Sequence, residues 1–133
     1  MRRFAAIILA VVIFTLAACG GNVSNVKVTA YDSELYTDAD VQAAINVAKA
    51  YFKKEFSGCT LTEITYAGDE KIQGYAEWAD RNNADEVIVL SSSFDVDGSG
   101  GDGSLNPNST YENWNWILVR CKGGRWKHVD HGY

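Results

Sequence analysis

The chain has 133 residues, with 12 basic and 17 acidic side chains that give a formal net charge of −5 at pH 7. That length suits about one globular domain. An acidic chain repels the phosphate backbone, so the composition argues against a nucleic-acid partner.

The N-terminal segment has the order of an export signal. Arg2 and Arg3 precede an uncharged stretch over residues 4–16, and the segment ends in LAAC, whose cysteine is Cys19. This ending resembles the lipobox of bacterial lipoproteins, which implies that residues 1–18 are removed and that Cys19 carries a lipid. The resemblance places the protein at the cell membrane, lipid-anchored on the extracytoplasmic face. An uncleaved membrane helix is the alternative, but a span needs about 20 apolar residues.

Loss of this leader would leave 115 residues, with ten basic and 17 acidic side chains and a net charge of −7. Residues 19–37 show little periodicity, and we expect a lipidated tether there. Within it, Tyr31, Leu35 and Tyr36 are apolar enough to pack onto the domain. The remaining residues, 38–133, are expected to form a single domain.

Two further cysteines, Cys59 and Cys121, follow in the exported part of the chain. An even pair in an oxidising compartment permits a disulfide, and closing a loop of this length would stabilise the fold by about 4 kcal/mol. Two buried free thiols are the alternative. The wide spacing excludes a CxxC redox pair and a zinc knuckle.

The strongest helical pattern is TDADVQAAINVAKAYFKKEFSG, residues 37–58. Thr37 or Asp38 is placed to cap its first turn, and Gly58 to end it in a left-handed conformation. The apolar residues fall at helical spacing on one face. They are Val41, Ala44, Ile45, Ala48, Phe52 and Phe56.

After this helix, CTLTEITYA (59–67) predicts a strand. EKIQGYAEWADRNNA (70–84) then predicts a short second helix, with Ile72 and Ala79 on one side and Gly74 weakening it.

Three strands are predicted in the C-terminal half, within DEVIVLSSSFDV, YENWNWILVRC and RWKHVDHGY. The last two flank Gly123-Gly124, which indicates a hairpin. The predicted pairs are Cys121 with Trp126, Val119 with His128 and Ile117 with Asp130 on one face, and Arg120 with Lys127, Leu118 with Val129 and Trp116 with His131 on the other. The first face is expected to meet the core near the turn.

The order of elements predicts an α+β fold in which a long N-terminal helix packs on a curved antiparallel sheet that ends in a hairpin. The ending WNWILVRCKGGRWKHVDHGY resembles the last hairpin of nuclear transport factor two-like domains, cone-shaped folds related in outline to cystatins. Small bacterial lipoproteins with such domains are similar to this chain over residues 38–133. The resemblance implies a pocket at the wide end of the sheet and no particular reaction.

The candidates for catalysis and metal binding are weak. His128 and Asp130 fall on one face of a regular strand and His131 on the other, so a zinc site is not expected. The serines at 91–93 lack the elbow of a serine hydrolase. An enzyme resembling ketosteroid isomerase, which would use a pocket carboxylate and a tyrosine, is the second functional hypothesis, although no residue matches that motif. The sequence predicts no cofactor.

The stretch FDVDGSGGDGSLNPNSTYENW, residues 94–114, partly fits a calcium loop. Asp95 and Asp97 fall at ligand positions, but Asn106 stands where the pattern needs a glutamate. We therefore expect an exposed connection between two antiparallel strands, with Asp95, Asp97 and Asp102 as a weak cation site at most.

The leading functional hypothesis is a non-catalytic lipoprotein whose domain binds a small ligand or an envelope partner. Trp126 is expected in the core. Trp114 and Trp116 share a face and are candidates for a pocket wall or a homodimer surface. Tyr75 and Trp78 add to the predicted ligand or partner surface. A purely structural envelope protein is the further alternative.

Overall fold

The computed structural model describes residues 20–133, so the leader and Cys19 lie outside the described residues. The elements are β1 (Lys27–Val28), α1 (Asp38–Glu55), β2 (Cys59–Tyr66), α2 (Asp69–Ile72), a 3₁₀ turn (Gln73–Tyr75), α3 (Ala76–Arg81), β3 (Glu86–Val96), β4 (Thr110–Arg120) and β5 (Lys127–Gly132). The strands form one sheet in the order β1-β2-β3-β4-β5. The α+β class is confirmed. The sheet is mixed, because β1 runs parallel to β2 while the other neighbours are antiparallel.

The predicted long helix is confirmed as α1. Thr37 and Asp40 form a capping box, in which each side chain accepts a hydrogen bond from the other residue's backbone N–H. The predicted apolar face is buried against the sheet at Val41, Ala44, Ile45, Ala48, Phe52 and Phe56.

Helices cover both faces of the sheet only along the first half of β3. Four consecutive residues, 87–90, are fully or almost fully buried, because helices lie against both faces there. From Ser91 onward the buried residues alternate with more accessible ones. The helices of the second covering layer, α2 and α3, are short, and the predicted second helix is broken by the 3₁₀ turn that contains Gly74.

Residues 20–37 are part of the domain, so the predicted tether and the predicted domain start at residue 38 were wrong. The N–H of Gly21 donates to the C=O of Lys53 at 2.9 Å, and Asn22 exchanges backbone hydrogen bonds with β2. A Cβ on Gly20 would stand 2.2 Å from the Lys53 carbonyl oxygen. The Tyr36 hydroxyl donates to the Val87 carbonyl at 2.7 Å. The segment shows no periodicity because it lies along the sheet edge and the helix end as irregular chain, apart from the two residues of β1.

The hairpin of β4 and β5 has the predicted register only at its far end, where Trp116 pairs with His131 and Ile117 with Asp130. Nearer the turn, Leu118 pairs with His128, so Val129 is an extra residue that forms a β-bulge. The predicted pairs between this bulge and the turn were therefore wrong. They are Cys121 with Trp126, Val119 with His128, Arg120 with Lys127 and Leu118 with Val129.

Of the two alternatives for Cys59 and Cys121, the disulfide does not form in this fold, and of the two thiols only Cys59 is buried. Within residues 20–133, Cys121 is exposed and no disulfide joins it to Cys59. Cys59 pairs with Val96 at one end of β3, whereas Cys121 follows the residue that pairs with Glu86 at the other end. An 11-residue strand is about 33 Å long, and a disulfide needs Cα atoms within about 7 Å.

The end of the sheet that carries the turn between β4 and β5 is called here the hairpin end. Arg120 makes its main polar contacts. Its guanidinium binds Asp40 at 3.0 Å and Glu86 at 2.5 Å and lies 4.2 Å from the centre of the Trp126 ring. The Trp126 indole N–H donates to the Asp40 carbonyl at 3.0 Å. Trp126 is 6 % exposed, which confirms it as a core residue. The start of α1 is thus tied to β3 and β4.

Candidate ligand-binding site

Four rings form a continuous surface at the opposite end of the sheet, which we call the open end. Tyr51 lies near the end of α1, Phe56 follows that helix, Trp114 belongs to β4 and His131 to β5. Ring centroids are 6.2 Å apart for Phe56 and Trp114, 5.4 Å for Phe56 and His131, and 5.5 Å for Tyr51 and His131. We call these four side chains the aromatic wall.

A pocket of about 240 Å³ opens between the aromatic wall and the loop that joins β3 to β4, residues 97–109. Glu55 and Ser57, at the end of α1, line it together with Asp102, Ser104 and Leu105 of the loop. Both carboxylates are exposed. The pocket therefore has an aromatic wall and a polar, acidic rim.

The loop is held against the start of β2 by close backbone contact. The N–H of Asp97 donates to the C=O of Gly58, and the N–H of Asn108 donates to the C=O of Asp97, each at 2.9 Å. Gly58 has φ +74°, and a Cβ there would stand 2.6 Å from Ser99 Oγ. Only glycine meets both demands. The prediction of a mainly exposed connection between antiparallel strands is confirmed.

The structure does not assemble the three aspartates proposed as a weak cation site. Asp95 accepts a hydrogen bond from Thr110, Asp97 from Ser99, and Asp102 from Ser104. These serine hydrogen bonds hold the pKa of Asp97 and of Asp102 below the usual range. Within residues 20–133 no group of three or more metal-ligating side chains occurs. Weak calcium binding stays a prediction.

His128 and His131 lie on the same face of β5, contrary to the prediction from regular alternation. The bulge at Val129 shifts the alternation by one residue, so His131 Nδ1 comes within 3.1 Å of His128 Nε2. The His128 ring also lies 4.2 Å from that of Tyr51. Burial is the main cause that lowers the pKa of both imidazoles, and His131 lowers that of His128 further. A bulge of this kind leaves no clear signal in the sequence.

The four aromatic residues predicted for the ligand or partner surface do not come together. Trp114 lines the pocket as predicted. Trp116 is fully buried and donates its indole N–H to Ser92 Oγ at 2.8 Å, so it is a core residue. Tyr75 and Trp78 are half-buried outside the pocket, around α3, where Arg81 stacks 4.4 Å from the centre of the Trp78 ring.

Tyr51, Phe56, Glu55 and His131 are pocket residues that the sequence reasoning missed. Phe56 was assigned only to the buried stripe of α1, and Tyr51 lies beside that stripe. Their position at the end of the helix, next to a long polar loop, is the signal that could have found them.

A second, more open cavity of about 440 Å³ adjoins the pocket and shares Ser57 and Cys59 with it. It is lined by Gly20 and Asn22, so the N-terminal segment begins beside it. Burial, together with the negative charges of Asp97 and Asp102, raises the pKa of the Cys59 thiol to about 11. This thiol is therefore a poor nucleophile at neutral pH.

A comparison of the chain with models of protein families, with curated protein sequences and with solved structures yields no match. None of the helices formed by residues 20–133 combines the length and the apolar character that crossing a bilayer requires.

Proposed function

We propose that this protein is a membrane-anchored, extracytoplasmic lipoprotein whose domain binds a small ligand, without catalysis, in the pocket at the open end. The observation that carries the proposal is the pocket with its aromatic wall, since binding sites typically combine aromatic surface with a few polar groups. Part of the proposal is that the domain is a distant nuclear transport factor two-like or cystatin-like fold. A long helix packed on an antiparallel meander, with a pocket beyond the helix end, supports this relationship.

The position of the N-terminal segment supports a site at the membrane surface. Only Gly20 separates Cys19 from Gly21, whose N–H is bonded to the end of α1. A lipid on Cys19 would therefore hold the open end near the bilayer, without a long tether. Ligands at the membrane surface would then meet the pocket directly.

The proposal is non-catalytic because, among the described residues that line the pocket, none provides a buried carboxylate. Glu55 and Asp102 are exposed at the rim, and the Ser104 hydrogen bonds lower the pKa of Asp102. An enolising base like that of ketosteroid isomerase works best with a pKa near the operating pH. An envelope protein, or a second copy of the chain in a homodimer, would be the partner if the open end binds a macromolecule instead.

The anchor is tested by metabolic labelling with a fatty acid. Wild-type protein should incorporate the label and Cys19→Ser should not, because the lipid attaches through sulfur. Label retained by Cys19→Ser would contradict the anchor.

The ligand site is tested by native mass spectrometry of the full chain extracted in a mild detergent. Wild type and Trp78→Leu should retain a bound small molecule that Trp114→Leu loses. Equal retention by all three proteins, or by none, would contradict ligand binding at the pocket.

A further inference from the structure

The charges around the pocket favour a positively charged ligand. Among the described residues that line it, Glu55 and Asp102 carry negative charge, and none is a lysine or an arginine. His131 adds no positive charge at neutral pH, because burial keeps its pKa below the usual value. Lys53 and Lys54, in the last turn of α1, are exposed and lie outside the lining.

The aromatic wall is suited to the same kind of ligand. The faces of tyrosine, phenylalanine and tryptophan attract cations within about 6 Å of the ring centre. Tyr51, Phe56 and Trp114 provide all three ring types in one contiguous surface. The faces attract a quaternary ammonium group well, because it has no N–H donors that need hydrogen-bond acceptors.

The end of α1 adds to this attraction. The helix has 18 residues, and its C-terminal end, which carries the negative partial charge of the helix dipole, lies at the pocket through Glu55 and Phe56. Carboxylates, ring faces and helix end thus favour the same sign of charge at one place.

We propose that the pocket binds an organic ammonium cation, with the alkylated nitrogen against the aromatic wall and the rim carboxylates of Glu55 and Asp102 around it. This inference rests on the proposed function, because it names the class of ligand for the same site. A volume of about 240 Å³ suits a group smaller than a drug-sized ligand, whose pockets span roughly 300–1,000 Å³. Such a group occurs in free small solutes and in zwitterionic lipid headgroups.

The test uses the full lipidated chain in a non-ionic detergent and follows tryptophan fluorescence and heat of binding. The probes are choline and its neutral carbon analogue, 3,3-dimethylbutan-1-ol, which has the same shape without the charge. Choline should bind saturably, and the analogue at least about tenfold more weakly, as expected when charge as well as shape is recognised. A short-chain phosphatidylcholine below its micelle concentration forms a third arm.

The variants locate the site. Trp114→Leu should weaken choline binding by roughly 2- to 30-fold, the range of a single cation–π contact, and Trp78→Leu should leave it unchanged. Glu55→Gln changes only an exposed side chain and keeps the test valid if Trp114→Leu fails to fold. It should weaken binding about twofold or more at low salt, while Glu70→Gln, on the exposed surface of α2, should not.

The outcomes separate the two proposals. If the phosphatidylcholine binds more strongly than choline, the natural ligand is a lipid headgroup. If choline binds more strongly, the ligand is a free solute. Both results support the inference. Equal binding of choline and its neutral analogue, or no saturable binding of choline at millimolar concentration, would overturn it. The proposed function would still stand if native mass spectrometry finds a different ligand that Trp114→Leu loses.

Discussion

The two ends of the sheet differ in how well their buried polar groups are hydrogen-bonded. At the hairpin end, Arg120 is paired with two carboxylates, and the Trp126 indole N–H has an acceptor. At the open end, the buried Trp114 indole nitrogen has no hydrogen-bond partner within residues 20–133, and the half-buried rings of His128 and His131 face each other with ring nitrogens 3.1 Å apart. An unpaired buried donor costs about 1–3 kcal/mol. Polar groups are thus better satisfied at the end away from the proposed site.

This difference is consistent with a structural role for the hairpin end and a binding role for the open end. The polar contacts of Arg120 and Trp126 tie down the end where α1 begins, and the end where α1 stops has a pocket, a glycine-rich loop and two histidines with a lowered pKa. Functional sites are where proteins keep local arrangements that do not maximise stability. The comparison makes different predictions for matched substitutions at the two ends.

The largest effect is expected for Arg120→Ala. Removing the guanidinium leaves Asp40 and Glu86 without their partner and removes the stacking on Trp126. Partial exposure reduces the loss below that of a fully buried pair, and we expect about 2–3 kcal/mol of unfolding free energy. The control is Arg81→Ala, because Arg81 is also paired and stacked but lies on the surface, and it should cost less than about 1 kcal/mol. Equal losses in urea unfolding would contradict the role of the hairpin end.

The next largest effect is expected for alanine substitutions at two glycines that share a backbone conformation, one at each end of the sheet. Gly58 has φ +74° and faces Ser99 and Asp97, whereas Gly123 has φ +76° and open space around the position of a Cβ. Gly123→Ala should cost only the strain of a left-handed residue, about 1 kcal/mol. Gly58→Ala should cost about 2–3 kcal/mol, because the loop must also move. Similar costs in thermal unfolding would mean that the loop is not pressed against Gly58.

A smaller effect is expected when the pH falls. Folding lowers the pKa of His128 and His131 below 6.5, so the unfolded chain binds more protons than the folded one below about neutral pH. The stability that the neutral pair contributes is complete above pH 6.5 and is lost as the pH falls from there toward the lowered folded pKa values. His128→Phe keeps an aromatic ring there and should weaken the pH dependence in this range. An unchanged pH profile in that variant would assign the dependence to other groups.

The smallest effect concerns the thiols. Apart from Cys19, Cys121 should react with an alkylating reagent in the native protein, and Cys59 only after unfolding, because Cys59 is buried. Reduction should leave the melting temperature unchanged. A disulfide between Cys59 and Cys121, detected by peptide mapping, would require a different arrangement of the sheet.

Much of the fold follows from local patterns. The stripe and caps of α1 are local signals, and the strands β2 to β5 are marked by apolar runs and by the Gly123-Gly124 turn. The burial of Trp116 is different, because it depends on its central strand meeting α1, which alternation within β4 does not reveal. The packing of residues 20–22 depends on backbone hydrogen bonds to α1 and β2 and on the close approach of Gly20 to the end of α1, and such contacts leave no periodic signal.

The pocket was less predictable than the fold. Trp114 was found because large aromatic residues near a loop are natural candidates for a binding surface. His128 was placed on the wrong face, opposite Val119 instead of Leu118, because the bulge at Val129 depends on tertiary packing. Tyr75 and Trp78 are equally aromatic in sequence, but only topology decides that they pack around α3, outside the pocket.

The most direct test of the central claim, that the open end binds an organic ammonium cation, is hydrogen–deuterium exchange of the full chain with and without saturating choline. The account predicts slower exchange in residues 51–57 and 97–109 with choline, and unchanged exchange in residues 120–126 at the hairpin end. Protection confined to the hairpin end, or no change anywhere, would contradict it.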